Sequence, residues 1–133
     1  MARRLILDTG VLIDAERAQS DLASVVEADD DVALAAVTAA ELYAGIELAD
    51  ERHRIRRVDF VARILDAIPV EPYDLSIAEA HGRLLAHAHR TGTRRGAHDL
   101  IVAATAAVTR RIILTTDRSA KFGDLPGVEC VVL

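Results

Sequence analysis

Short uninterrupted apolar runs, each stopped by a turn or an acid, constrain the fold of this chain more than any other feature. Leu5-Ile6-Leu7 ends at Asp8-Thr9-Gly10. Val32 to Val37 follows the acidic loop Asp29-Asp30-Asp31, and Ile68-Pro69-Val70 is a third run. Ile112-Ile113-Leu114 is a fourth, and Val128 to Leu133, broken only by Glu129, reads as a fifth strand. Runs of this length without polar alternation read as strands buried on both faces, the habit of parallel sheets. Segments of helical period lie between them. Val11 to Ala18 predicts a short helix, and a second, capped by Ser20 or Asp21, runs to about Ala28. Thr38 to Ala49 carries Leu42, Ile46 and Ala49 on one face, and Arg52 to Ala67 turns Val58, Val61, Leu65 and Ile68 inward. Leu75 to Thr91 buries Ile77, Ala80, Leu84 and Ala88. His98 to Arg110 is apolar on nearly all sides and should be central. The alternation predicts an α/β chain: a three-layer α/β/α architecture with a short parallel sheet flanked by helices.

No internal repeat, linker or low-complexity tract divides the 133 residues, so one domain over 1–133 is expected. Sixteen basic against 21 acidic residues give a net charge of −5, so a general electrostatic grip on nucleic acid is not the default reading. A lone cysteine, Cys130, rules out an internal disulfide framework and fits a reducing, cytoplasmic setting. Leu100 to Thr109 is far shorter than the roughly 20 apolar residues of a membrane span. Asp8 interrupts the apolar run that follows Met1-Ala2-Arg3-Arg4, so no secretory segment is expected.

In sheets of this kind ligands bind beyond the carboxyl ends of the strands. Two acids follow strands directly: Asp8, and Asp117 after Thr115-Thr116. Two more fall in first turns of helices, Glu41 and Asp99. Each has an ordinary explanation alone. Thr38-x-x-Glu41 reads as a capping box, as does Ser76-x-x-Glu79. Asp99 suits the positive end of a helix, and Asp8 and Asp117 suit turns. Together, four carboxylates at one sheet edge would repel and raise one another's pKa. A cation relieves that repulsion. An all-oxygen ligand set without a Cys/His pair at ligand spacing favours Mg2+ or Mn2+ over Zn2+. Such an ion activates water and orients a phosphodiester, so hydrolysis of phosphodiesters is the expected chemistry.

These segments resemble the motifs of PIN-domain ribonucleases, most closely the VapC-type toxins of bacterial type II toxin–antitoxin pairs. Leu7-Asp8-Thr9-Gly10-Val11-Leu12-Ile13 resembles the opening motif and Thr38-Ala39-Ala40-Glu41-Leu42 the second. Gly96-Ala97-His98-Asp99 running through Ala106 resembles the third, the most specific. Leu114-Thr115-Thr116-Asp117-Arg118, with Phe122 and Gly127-Val128, resembles the fourth. The resemblance spans the chain and implies a PIN-like domain. It implies that Asp8, Glu41, Asp99 and Asp117 form the catalytic and metal site. Asp8 and Asp99 would contact Mg2+ or Mn2+ most directly, and Glu41 and Asp117 would complete the site, partly through water. Thr115 would orient substrate or metal water. It also implies an RNA substrate, a small VapB-type antitoxin, a homodimer and no membrane. One departure is Gly10, where the family often carries Asn.

The basic residues cluster. Arg52-His53-Arg54-Ile55-Arg56-Arg57 reads as a solvated helix face, whereas His87 to Arg90 with Arg94 and Arg95 precedes the Asp99 helix. Arg95 and Arg118 are therefore candidate phosphate contacts. His98 adjoins Asp99 but is expected to point elsewhere. The aromatics are only Tyr43, Phe60, Tyr73 and Phe122, too few for a broad stacking platform, so structured RNA with one accessible loop fits better. Asp8-Thr9-Gly10 is also the signature of aspartic proteases, but those are all-β. A phosphate-receiver domain lacks its second acid after the first strand, and an Asp-x-Asp phosphatase is excluded by Gly10. A catalytically weak PIN-like module that only binds a partner is the remaining alternative.

Overall fold

The computed structural model describes residues 2–18 and 22–133. The elements in chain order are β1 (Arg4–Leu7), α1 (Thr9–Arg17), β2 (Asp31–Ala35), α2 (Ala36–Leu48), α3 (Glu51–Ala67) and β3 (Val70–Glu71). They continue with α4 (Leu75–Thr91), α5 (Ala97–Thr109), β4 (Ile112–Thr115) and β5 (Cys130–Val132). The five strands form a parallel sheet in the order β3-β2-β1-β4-β5.

Strand periodicity divides the core in two. Ile6, Ala35 and Ile113 face α4 and α5, meeting Ile77, Leu84, Leu100 and Val102, with Phe122 closing the layer. Leu5, Leu7, Leu34 and Leu114 face the other way, onto Val11 and Leu12 of α1, Leu42 of α2 and Val61 of α3. Helices thus cover both faces of the sheet, as the uninterrupted apolar runs require. Leu5, Ile6 and Leu7 are wholly inaccessible, and full burial of such a side chain stabilises by about 1.5–3 kcal/mol.

Several local expectations are corrected. The helix expected to reach Ala28 is only a 3-10 turn at Leu22–Ser24, and its expected cap at Ser20 or Asp21 lies outside the described residues. The second run is strand only to Ala35, and Val37 already belongs to α2. The third run pairs at just Val70 and Glu71. Val58 is 46% exposed because α3 presents Phe60, Val61, Ile64 and Leu65 to the sheet instead. Both capping boxes fail. Asp74 caps α4, its side chain accepting from Ile77 N at 3.0 Å, so Ser76 lies inside the helix. Ala35 is the cap residue of α2, without a side-chain bond, and Thr38 and Glu41 lie inside that helix.

From β1 the chain moves to β2 and β3 on one side, then crosses back to β4 and β5 on the other. The order reverses between β1 and β4, so the crevice at their carboxyl ends is the expected ligand position. Leu7 pairs with Leu114 there, which sets Asp8 beside Thr115. Just before β4, Arg111, only 7% exposed, binds Leu5 O, Asp31 and the Glu71 carboxylate.

Candidate active site

Asp8 leaves β1 and caps α1. Its Oδ1 accepts from Thr9 N at 2.9 Å, and its Oδ2 accepts from Thr115 Oγ1 at 2.9 Å. Thr115 is fully buried, and its Oγ1 also accepts from Asp117 N at 3.0 Å. One hydroxyl therefore ties the acid after β1 to the acid after β4. Thr9 Oγ1 donates to Glu41 Oε1 at 3.1 Å, linking α1 to α2. Glu41, Thr9, Asp8, Thr115 and Asp117 form one continuous polar path. Asp117 caps the 3-10 turn Arg118–Ala120, where its Oδ1 accepts from Ser119 N at 2.9 Å and Ser119 Oγ at 2.6 Å.

Asp99 sits in the first turn of α5 and folds back over its cap, Gly96. A Cβ at Gly96 would lie 2.8 Å from Asp99 Oδ2, so the bare Cα makes room for the carboxylate. Burial holds the Asp99 pKa above the ordinary carboxylate value, and the charges of Asp8, Asp117 and Glu41 raise it further, with His98 opposing. Asp117 moves the other way, because the Ser119 hydroxyl bond stabilises its charge. The fold thus brings the four expected carboxylates together, and Asp99 carries the cost of their proximity.

His98 does not point away: its Nδ1 lies 3.7 Å from Glu41 Oε1. Arg95 donates from Nη1 to the carbonyls of Ala120 at 2.7 Å and Lys121 at 2.8 Å. Arg118 and Arg94 are exposed. In the Arg52–Arg57 block, Arg57 pairs with Glu16 at 2.9 Å and Arg54 donates to Glu47 O, as a helix face would. Sequence reasoning missed Thr9, Ser119 and the true place of Thr38. Ser119 carries a signal, since Asp-x-Ser is turn chemistry. Thr38 is fully buried, one helical turn before Glu41, and its hydroxyl has no hydrogen-bond partner among the described residues.

An acidic triplet elsewhere is already committed. Among the described residues, Glu27, Asp29 and Asp30 are the one group of three that brings carboxylate oxygens within 4.8 Å of one another. They precede β2, at the opposite end of the sheet. Both Asp30 oxygens are taken, by Arg3 N, the Arg3 guanidinium and Glu27 N, and its pKa falls to about 2. A cleft of about 1100 Å3 lined by Leu22, Val26, Phe60 and Ile64 also lies away from the carboxylates.

A sheet-edge carboxylate cluster on a parallel α/β/α fold defines a class of small acidic-site proteins. A PIN domain model matches residues 5–126, and the chain belongs to the PIN domain family. It is 30% identical to the VapC ribonuclease Y4jK of Sinorhizobium fredii, over 86% of this chain and 88% of that one. Among solved structures, VapBC-5 from Mycobacterium tuberculosis aligns at 30% identity with a TM-score of 0.79, covering 98% of each chain. VapBC2 from Rickettsia felis, bound to a DNA fragment from their promoter, aligns with a TM-score of 0.84 at 17% identity, again over 98% of each. No helix among the described residues is long and apolar enough to cross a membrane.

Proposed function

We propose that this chain is a Mg2+- or Mn2+-dependent endoribonuclease. In this reading it is a single nuclease domain, the cytoplasmic toxin of a toxin–antitoxin pair, held inactive by a small VapB-type antitoxin. The observation that carries the reading is the convergence of Asp8, Glu41, Asp99 and Asp117 on the crevice between β1 and β4, with the charged form of Asp99 disfavoured first by burial and then by the other three. Carboxylates in that state accept a hard divalent cation. Among the described residues no three of the four bring carboxylate oxygens within 4.8 Å of one another. The names of the VapC relative and of the VapBC neighbours support the ribonuclease and the antitoxin.

Asp8 and Asp99 are assigned as direct ligands, with Glu41 and Asp117 completing the site through water. When bound, the ion supplies an activated water and offsets charge on the phosphodiester. The remaining work falls to the chain. Thr115 holds Asp8 Oδ2 and the Asp117 backbone in one arrangement. Thr9 holds Glu41. Arg118, next to Asp117 in the chain, and Arg94, five residues before Asp99, are both exposed and are the candidates to neutralise the flanking phosphates of the RNA.

The test is incubation of purified, antitoxin-free protein with a structured RNA, with Mg2+, with Mn2+ and with chelator. Cleavage that requires the ion supports the reading. Metal-independent cleavage contradicts it, and no cleavage by folded protein favours the partner-binding alternative.

A further inference from the structure

Arg95 stands directly before the Gly96 cap of α5, four residues ahead of Asp99. Its charge is turned under the loop that begins at Asp117. A single Nη1 donates to the Ala120 and Lys121 carbonyls. Two successive carbonyls face one donor because Lys121 adopts the left-handed conformation, φ 49°, between two 3-10 turns. Ala120 and Phe122 are buried on either side and anchor the loop to the core. Arg95 Nε is itself buried with no partner among the described residues. A solvent-facing arginine would not incur that loss.

We propose that Arg95 is a positioning residue which sets the separation of Asp99 and Asp117 by clamping the loop after β4 to the segment that opens α5. The proposal rests on the metal-dependent reading above. The Asp99 carboxylate packs over Gly96, the residue next to Arg95. Asp117 starts the loop whose next turn Arg95 holds. The clamp therefore fixes one acid relative to the other across a gap that no backbone ladder spans. Arg95 acts on cation affinity first and on RNA only through the ion. Groups that bond metal ligands directly typically change metal affinity by about 10–100-fold, and a clamp acting through the backbone falls at the low end of that range.

The experiment compares the full chain with Arg95→Ala and with Arg95→Met, which keeps the buried stem and removes only the donors. Mn2+ affinity is measured without RNA, kcat and KM on one RNA substrate, and amide exchange over residues 117–124. The expected result is about tenfold weaker Mn2+ binding, lower kcat at nearly constant KM, and faster exchange in that loop. Arg95→Lys should recover part of each. Unchanged Mn2+ affinity with raised KM would make Arg95 a phosphate contact and overturn the proposal. Lower melting temperature with unchanged metal affinity would make it merely structural and overturn it equally. If Arg95→Ala does not fold, Arg95→Met carries the test. A wild-type chain that binds no Mn2+ and cleaves no RNA sinks the functional reading itself, whereas an active wild type indistinguishable from Arg95→Met sinks only the clamp.

Discussion

Gly10 and Thr116 share one space: a Cβ on Gly10 would lie 2.8 Å from Thr116 Oγ1. Gly10 is the second residue of α1, where Ala would ordinarily stabilise by roughly 0.5–1 kcal/mol. The close approach offsets that gain by the cost of turning the exposed Thr116 side chain aside, which is less than the roughly 1–3 kcal/mol of an overpacked core. Gly10→Ala is therefore expected to be neutral or destabilising in the wild-type background and stabilising in Thr116→Ala. A double-mutant cycle of melting curves reads the coupling directly. The same contact means that Gly10→Asn cannot restore the more common family motif unless Thr116 moves.

Thr115→Val removes the donor to Asp8 Oδ2 and the acceptor of Asp117 N at once. Leaving such groups unpaired costs about 1–3 kcal/mol, and displacing Asp8 should lower cleavage about 100-fold. Thr115→Ser should retain most of both. Denaturant unfolding and single-turnover cleavage, measured side by side, check this. Full activity in Thr115→Val would remove Thr115 from the account.

An acid whose folded pKa is raised is destabilised when charged, and that cost disappears as pH falls and the group protonates. Asp99 is in this state through burial and its three acidic neighbours. In chelator at neutral pH, Asp99→Asn should melt higher than wild type. The difference should shrink as pH drops through the raised Asp99 pKa and be gone below the ordinary 3.8. Adding Mn2+ should raise the melting temperature of the wild type and not of the variant. A variant less stable than wild type in chelator would show that the cluster is not repulsive.

Thr38 keeps a buried hydroxyl without a partner among the described residues. Valine has the same shape without the desolvated group, so Thr38→Val should stabilise by on the order of 1 kcal/mol, about 3 °C in melting temperature. Loss of stability would show that the hydroxyl is bonded after all.

The strands β1 and β4 and the last two long helices were legible because their signals are local and unambiguous. Leu5-Ile6-Leu7 and Ile112-Ile113-Leu114 have no helical alternative at their length, and α4 was predicted at its observed limits. The start of α2 was not. Ala35-Ala36-Val37 offers no capping side chain, and an apolar run does not mark where strand becomes helix. That error made Glu41 look like half of a capping box, when it is an interior helical residue facing Thr9. The sheet-edge rule put Asp8, Glu41, Asp99 and Asp117 at one crevice from sequence alone. The directions of His98 and Arg95 were not legible, because they depend on contacts with α2 and with a loop 25 residues away. The buried Arg111 carried no signal at all: hydrophobic period does not predict a charge that three strands enclose.

End-mapping of total cellular RNA tests the central claim most directly. Purified wild type, Asp8→Asn and Asp99→Asn are each incubated with the RNA, with Mn2+ or with chelator. The account predicts discrete new ends for wild type with the ion only, and a loss of at least about 100-fold in both variants. Equal cleavage by Asp99→Asn, or cleavage that persists in chelator, would contradict it.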